Sequence, residues 1–394
     1  MIPRNIEGKL RALMASFPAV TVTGPRQSGK TTLCRACFPD RPYVSLERPD
    51  LRALAQEDPL GFLHDLREGA ILDEVQHVPG LLSYLQVMID ERPEAGRFLL
   101  TGSQHFGLLR TVSQSLAGRS GLLSLLPLSV DEVGRFPSPP AELFATLWTG
   151  GYPAIHERGV AATDWLAAYV GTYLERDVRD LLAVQDLGAF RRFLRLCAGR
   201  TGQLLNVASL ASDAGLAHGT ATAWLGVLEA SYVLVRLPAW HRNIGKRLVK
   251  ASKLHFVDSG LCCWLLGIQT PEQLATHPLV GSIFESWVAM EGVKQRFARG
   301  LQADLYHYRD RKGEEVDLVL ERGDATVAIE VKAGRTLVPE LARGLDRFER
   351  AVEGAPLVNA VERVLVYGGD AARTFRGTRA VPWRDVATAG WTPP

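Results

Sequence analysis

The eight residues from Gly24 to Thr31, GPRQSGKT, constrain this chain more than any other stretch. They match G-x-x-x-x-G-K-[ST] and stand between a short apolar run, Ala19 to Thr23, and a segment that reads as a helix, the context a phosphate-binding loop requires. Gly24 and Gly29 permit a tight turn through Pro25, Arg26, Gln27 and Ser28 whose N–H groups point inward at phosphate oxygens. Lys30 then reaches the β- and γ-phosphates as a point charge, Thr31 ligates Mg²⁺, and Thr32 completes the nucleotide-binding set. ATP and Mg²⁺ are the cofactors expected.

Such a loop needs a second strand ending in acid, and GAILDEVQHVP supplies one. Asp73 reads as the metal-side carboxylate and Glu74 as the general base that polarises water for in-line attack on the γ-phosphate. The bland alternative is that both merely begin a solvated helix. A third apolar strand, RFLLTGSQ, ends in Thr101, Ser103 and Gln104, groups that either sense the γ-phosphate or cap the next helix. Arg119 falls on a Gly-flanked turn before another apolar strand. There it is either a finger reaching a neighbouring subunit's nucleotide, which implies a homo-oligomer, or an ordinary surface arginine.

The whole chain has 394 residues, too many for one ordinary core, so two or three domains are expected. With 46% hydrophobic and 22% charged residues it reads as globular rather than disordered. A net charge of +2 means that any contact with nucleic acid must come from a local patch. No apolar run approaches the roughly 18 to 20 residues of a membrane span, and the start, MIPRNIEGKLRALMASF, is amphipathic rather than signal-like. A soluble, cytoplasmic protein without membrane partners is expected. Cys34, Cys37, Cys197, Cys262 and Cys263 form an odd, scattered set that suits a reducing compartment, and the C-x-x-C pair reads as packing on a helix rather than as a zinc or redox site.

Together GPRQSGKTT, ILDEVQ, FLLTGSQ and SLAGR followed by LLPLS resemble the AAA+ ATPase domain of a widespread prokaryotic family of predicted ATPases. The likeness continues through GGYPAI, YLERDV, KLHFVDSGL and FESWV, which resemble the uncharacterised domain accompanying that ATPase. It thus covers most of the chain, and it implies an ATPase as the enzymatic activity.

After the linker marked by Pro137, Pro139 and Pro140, TDWLAAYVGTYLERDVRDLL and FRRFLRLCAG carry apolar residues at helical spacing. LNVASLASDAGL and HGTATAWLGVLEASYVLVRLPAW then read as two helices joined by a Gly-containing turn, with a trailing strand: a winged helix-turn-helix. From His241 to Lys253 the chain carries Arg242, Lys246, Arg247, Lys250 and Lys253 without an acid, a stripe suited to DNA phosphates. Use of the same fold as a rigid spacer or protein-contact module stands beside that reading.

The last third runs as helix, three short strands (LYHYRD, EVDLVLER, TVAIEVKAG), helix and strand. That αβββαβ order, with an acid on the second strand and E-x-K ending the third, resembles the restriction-endonuclease-like PD-(D/E)xK fold. Asp317, Glu330 and Lys332 fill the motif, Glu285 matches the accessory acid, and Val316 replaces the proline. Glu330 and Lys332, two apart on a strand, face the same side, and Asp317 on the adjacent strand can converge with them. Asp317 and Glu330 would hold Mg²⁺ while Lys332 positions or activates water.

The expected fold is therefore α/β: a P-loop AAA+ parallel-sheet domain over 1–135, a helical region with the winged helix over 148–255, and the restriction-endonuclease-like domain over 256–394. Two functions compete, ahead of a transcription regulator using the winged helix alone, which has no need of Glu330 and Lys332 in this arrangement. One is an ATP-dependent protein acting on DNA with a nuclease-like domain. The other is a nucleotide-dependent switch that signals to a protein partner through a catalytically inactive nuclease-like module.

Overall fold

The computed structural model describes residues 2–103, 115–174, 186–241, 251–310, 312–323, 325–353 and 360–392. Among the earlier expectations, Gln104, the stretch 175–182 of the first helical segment, and Arg242, Lys246, Arg247 and Lys250 lie outside the described residues. The chain divides into two compact units. One comprises Met1–Leu128 with Ala230–Tyr232 and Phe297–Leu301; the other comprises Ser129–Glu229, Val233–Arg296 and Gln302–Pro394.

The first unit is built on β1 (Ala19–Thr23), β2 (Tyr43–Ser45), β3 (Ala70–Asp73), β4 (Phe98–Gly102) and β5 (Ser120–Ser124). They form one parallel sheet in the order β2-β3-β4-β1-β5. Its strands read as near-continuous apolar runs because both faces are covered, and every residue of β1, β3 and β4 is buried. Side-chain alternation divides them cleanly. Val20, Val22, Ile71 and Leu99 pack with Leu10 of α1 (Glu7–Met14) and Leu33 of α2 (Lys30–Cys37), whereas Ala19, Leu72, Phe98 and Leu100 pack against the opposite helices. Those are α3 (Pro49–Glu57), α4 (Pro59–His64) and α5 (Leu81–Glu91). Cys34 and Cys37 are buried on α2 among the first set, and burial pushes both thiols up, so the helix-packing reading of the C-x-x-C holds. Because all five strands are parallel, the segments following β1, β3 and β4 leave from the same edge of the sheet.

The second unit opens with helices at Val130–Val133, Leu143–Thr149, Pro153–Arg158, Ala162–Tyr169 and Leu187–Ala198. Then β6 (Gln203–Leu204), helices Val207–Ala214 and His218–Ala230, β7 (Leu234–Leu237) and β8 (Lys253–Phe256) follow. The strands make an antiparallel sheet in the order β6-β8-β7, and Gly215, at φ 69°, ends the first of the two helices in the left-handed conformation. This is the element order of a winged helix-turn-helix. The motifs GGYP and VDSG meet here for structural reasons. Asp258 accepts the Gly151 N–H at 2.7 Å and caps the next helix through the Leu261 N–H at 2.8 Å.

Beyond the helix Val280–Ala298 the chain builds β9 (Leu305–Arg309), β10 (Glu315–Glu321) and β11 (Thr326–Lys332), then the helix Arg343–Val352 and β12 (Val361–Tyr367). The expected αβββαβ order is present, extended by β13 (Arg373–Phe375) and β14 (Thr378–Pro382). The mixed sheet runs β13-β14-β12-β11-β10-β9, with β12 parallel to β11 and β9, β10 and β11 an antiparallel meander. Between Val316 and Val319 the register of β10 against β9 shifts by one residue. Such a bulge re-aims the side chains within it, and Asp317 lies in this one.

Candidate functional site

The loop Gly24–Thr31 leaves β1 and enters α2 through two glycines with positive φ, Gly24 at 149° and Gly29 at 92°. A Cβ on Gly24 would sit 2.1 Å from the Leu125 carbonyl oxygen, so only glycine lets the loop lie this close to β5. Pro25 and Ser28 are buried, Arg26 and Thr31 half-buried, and Gln27 and Thr32 exposed. The Lys30 ammonium is buried and donates to the carbonyls of Gly24 at 3.0 Å and Pro25 at 2.8 Å. Burial lowers its pKa against the opposing pull of Glu74 and Asp73.

Asp73, at the end of β3, gathers hydroxyls. Thr31 donates to Oδ1 at 2.8 Å, Tyr43 donates to Oδ2 at 2.8 Å, and Thr101 also donates to Oδ1. The next residue, Glu74, takes the left-handed conformation at φ 56°, which turns its carboxylate toward the end of β4. There Oε2 accepts from Ser103 Oγ at 3.1 Å and from the Gln76 amide. Burial alone would raise Glu74, but the Lys30 charge, the Gln76 bond and Arg26 outweigh it and hold the carboxyl below its usual range. Glu74 is thus an ionised acceptor beside a lysine. Thr101 turns to Asp73 and Ser103 to Glu74, and the segment after Ser103, where a cap would lie, is outside the described residues. Arg119 makes a bidentate ion pair with Asp90 at 2.5 and 2.8 Å on the surface of the same unit.

A second cluster lies in the other unit. Asp317, Glu330 and Lys332 converge from β10 and β11 as their two-residue spacing requires: Lys332 Nζ is 2.6 Å from Glu330 and 3.8 Å from Asp317. Asp317 Oδ2 also accepts the Val331 N–H at 2.9 Å. Glu285, from the helix Val280–Ala298, joins them through Lys253, whose ammonium is 2.8 Å from Glu285 and 3.9 Å from Asp317. Desolvation and the neighbouring Asp317 charge push Glu285 up to about 8 and Glu330 up to about 7. Burial works against the charge of both lysines, yet the carboxylates around them hold each above its ordinary value.

Lys253 corrects one expectation. Read from the sequence it belonged to a solvent-facing phosphate stripe, but it is the first residue of β8 and only 4% exposed, neutralised by acids rather than offered to a ligand. Pairing between residues so far apart in the chain leaves no local pattern. Tyr43 was missed for a similar reason, since a tyrosine on a short edge strand belongs to no motif. Among the described residues no group of three or more His, Cys, Asp or Glu side chains is arranged to hold a metal ion.

A family model described as an AAA domain matches residues 16–134, and two domains of unknown function, DUF8612 and DUF4143, match residues 141–272 and 280–386. The uncharacterized protein Rv2008c of Mycobacterium tuberculosis is 33% identical over 348 residues, covering 87% of this chain and 76% of the relative. Protein Mb2031c of Mycobacterium bovis matches to the same extent. The chain belongs to the family of these mycobacterial proteins. Within this family member the AAA-domain match contains the Gly24–Thr31 loop, Asp73 and Glu74, and the DUF4143 match contains Glu285, Asp317, Glu330 and Lys332. Among solved structures, a Walker-type ATPase of Pyrococcus abyssi aligns over 67% of this chain and 96% of its own, at 17% identity and a TM-score of 0.46. AMPPCP-bound DnaA from Aquifex aeolicus aligns over 57% and 85%, at 15% identity and a TM-score of 0.29. The fold assignment rests on the strand order rather than on these likenesses. No helix among the described residues is long and apolar enough to cross a membrane.

Proposed function

We propose that this protein is a cytoplasmic ATPase that binds and hydrolyses Mg·ATP at Gly24–Thr32 and acts on DNA through its second unit. The working division is an ATPase domain over 1–135, a winged-helix region over 148–255 and a nuclease-like domain over 256–394. The observation that carries the ATPase reading is the 2.8 Å contact between Thr31 and Asp73, which joins the loop to the acidic strand end with Lys30 and Glu74 on either side. Thr31 and Asp73 are hard oxygen donors already in contact, the Ser28 hydroxyl nearby is buried without a partner, and this set fits Mg²⁺. Held there by Thr31 and Asp73, the ion would neutralise phosphate charge.

The loop N–H groups and the start of α2 cradle the phosphates, and Lys30 exchanges its two carbonyl partners for phosphate oxygens. Glu74 accepts a proton from the attacking water, and Ser103 keeps its carboxylate aimed. Arg119, freed from Asp90, serves as a finger on the nucleotide of a neighbouring copy. In that case turnover rises with protein concentration, and Arg119→Ala loses it while still binding ATP. Undiminished turnover in that variant would remove the assignment.

For the second unit, the winged-helix order supports DNA as partner, and the convergence of Asp317, Glu330 and Lys332 supports a nuclease-like site. Asp317 and Glu330, with Glu285 as accessory acid, are the residues that would hold a divalent cation, which when bound lowers the pKa of a water. Glu330 Oε2 is buried without a partner, an acceptor such an ion would use. Lys332 orients the water and offsets charge on the phosphorane. One observation favours the second reading, a switch signalling to a protein partner: Lys253 already neutralises Glu285 and faces Asp317.

Two assays test this. ATP hydrolysis with Mg²⁺ should fall about 10²- to 10⁴-fold in Glu74→Gln with nucleotide binding retained; full activity in that variant would refute the site. Cleavage of linear, single-stranded, forked and four-way DNA, with and without ATP, should depend on Asp317. No cleavage of any substrate, together with DNA binding that is absent or insensitive to salt, would leave the switch.

A further inference from the structure

We propose that Lys253 is a built-in counter-cation that holds the Glu285–Asp317–Glu330 cluster closed to divalent metal, so that a metal ion enters only where the Lys253 ammonium withdraws. This rests on the reading of the cluster as a metal site. The residue comes from β8 of the three-stranded sheet, not from the sheet that carries Asp317 and Glu330, and so adds a second lysine beside Lys332. Its ammonium contacts Glu285 at 2.8 Å and faces Asp317 at 3.9 Å, distances at which a positive charge strongly opposes another cation between the same acids. Two ammonium groups thus face three carboxylates, and among the described residues no three His, Cys, Asp or Glu side chains stand so that they could hold a metal ion. The chemistry of the acids suits Mg²⁺ or Mn²⁺, while the position of Lys253 does not. The two facts are reconciled when the lysine is the occupant that a metal must displace.

The neighbourhood offers a route for withdrawal. Lys253 begins β8, the central strand of its sheet, paired with Leu204 on one side and Leu237 on the other, so withdrawal takes a turn of the side chain away from the acids or a slip of β8 past both neighbours. Lys253 is in this sense a positioning residue and not a catalytic one.

The test is Mn²⁺ binding to the full-length protein without nucleotide, followed by electron paramagnetic resonance, in wild type, Lys253→Met and Lys253→Arg. Each is compared with its Asp317→Asn counterpart, so that Mn²⁺ held at the ATP site cancels. The expected result is Asp317-dependent binding about tenfold or more tighter in Lys253→Met than in wild type, with Lys253→Arg as closed as wild type. Mn²⁺ should also raise the melting temperature of Lys253→Met more than that of wild type, because a ligand stabilises the state that binds it. Equal, Asp317-dependent affinity in wild type and Lys253→Met overturns the inference while leaving the metal site standing. Absence of Asp317-dependent binding in every folded protein overturns both. Should Lys253→Met fail to fold, Lys253→Gln, which keeps a polar head in the pocket, carries the same comparison.

Discussion

Lys30 donates its buried ammonium to the carbonyl of Gly24, six residues earlier in the same loop, at 3.0 Å, and to that of Pro25 at 2.8 Å. The loop thus carries an internal substitute for the phosphate oxygens, and nucleotide must compete with it. Replacing Lys30 by Ala removes a charge-assisted bond of about 1.5–3 kcal/mol to phosphate, so ATP affinity should fall about 10- to 100-fold. A fluorescent-nucleotide titration measures this, and an affinity within twofold of wild type would exclude Lys30 from the phosphate site.

Ser103 holds the Glu74 carboxylate at 3.1 Å, and this hydrogen bond is among the causes that lower the Glu74 pKa. Ser103→Ala should therefore lower kcat about 2- to 10-fold with little change in KM. The lost bond no longer favours the ionised form, so the acid limb of the pH–rate profile should move to higher pH, and Ser103→Thr should restore it. A fall in kcat without that pH movement would mean that Ser103 only supports the fold.

His255 is fully buried, and burial followed by the Lys253 and His307 charges pushes it down to about 3. Its folded pKa lies below its unfolded value near 6.5, so the contribution of this group is present in full above 6.5 and is lost as pH falls toward 3. The loss amounts to about 1 kcal/mol per pH unit. Glu285 and Glu330, with raised values, act in the opposite direction between about pH 8 and 4.5, so the comparison must be against His255→Asn. Urea unfolding from pH 7.5 to 4.5 should show wild type losing stability relative to that variant as pH drops. Parallel curves would contradict the burial argument.

Gly292 on the helix Val280–Ala298 leaves no room for a Cβ, which would lie 2.7 Å from the Trp391 ring. The indole is itself pinned, donating to the Val386 carbonyl at 2.6 Å, so it cannot yield cheaply. Gly292→Ala gains about 1 kcal/mol of helix propensity but should lose about 1–3 kcal/mol to overpacking. A net lowering of the denaturant midpoint is the expected outcome, and stabilisation would show that Trp391 can move.

What could be read from the chain alone followed the range of the interactions. The β1 strand, the loop and Asp73–Glu74 are local patterns, and the strand bounds Ala19–Thr23 agree with the sequence reading. Glu330 and Lys332 on one side of β11 follow from the pleat, and their meeting with Asp317 from an antiparallel neighbour. Lys253 and Tyr43 were not legible, because each reaches its carboxylate across a sheet pairing or a helix contact that no spacing rule encodes. The left-handed backbone at Glu74 was equally hidden, since glutamate has no preference that announces it.

The position of β1 has a consequence for how the protein is made. It lies inside the sheet between β4 and β5, the strands of the first unit that leave the ribosome last. The nascent chain therefore displays Gly24–Thr31 well before the partners that fix the loop exist, and the Leu125 carbonyl that packs on Gly24 emerges later still. On this order of synthesis, ATP should not template the early folding of this unit. Nucleotide arrives at a finished sheet, and a stalled chain shorter than about 125 residues should be unable to retain it.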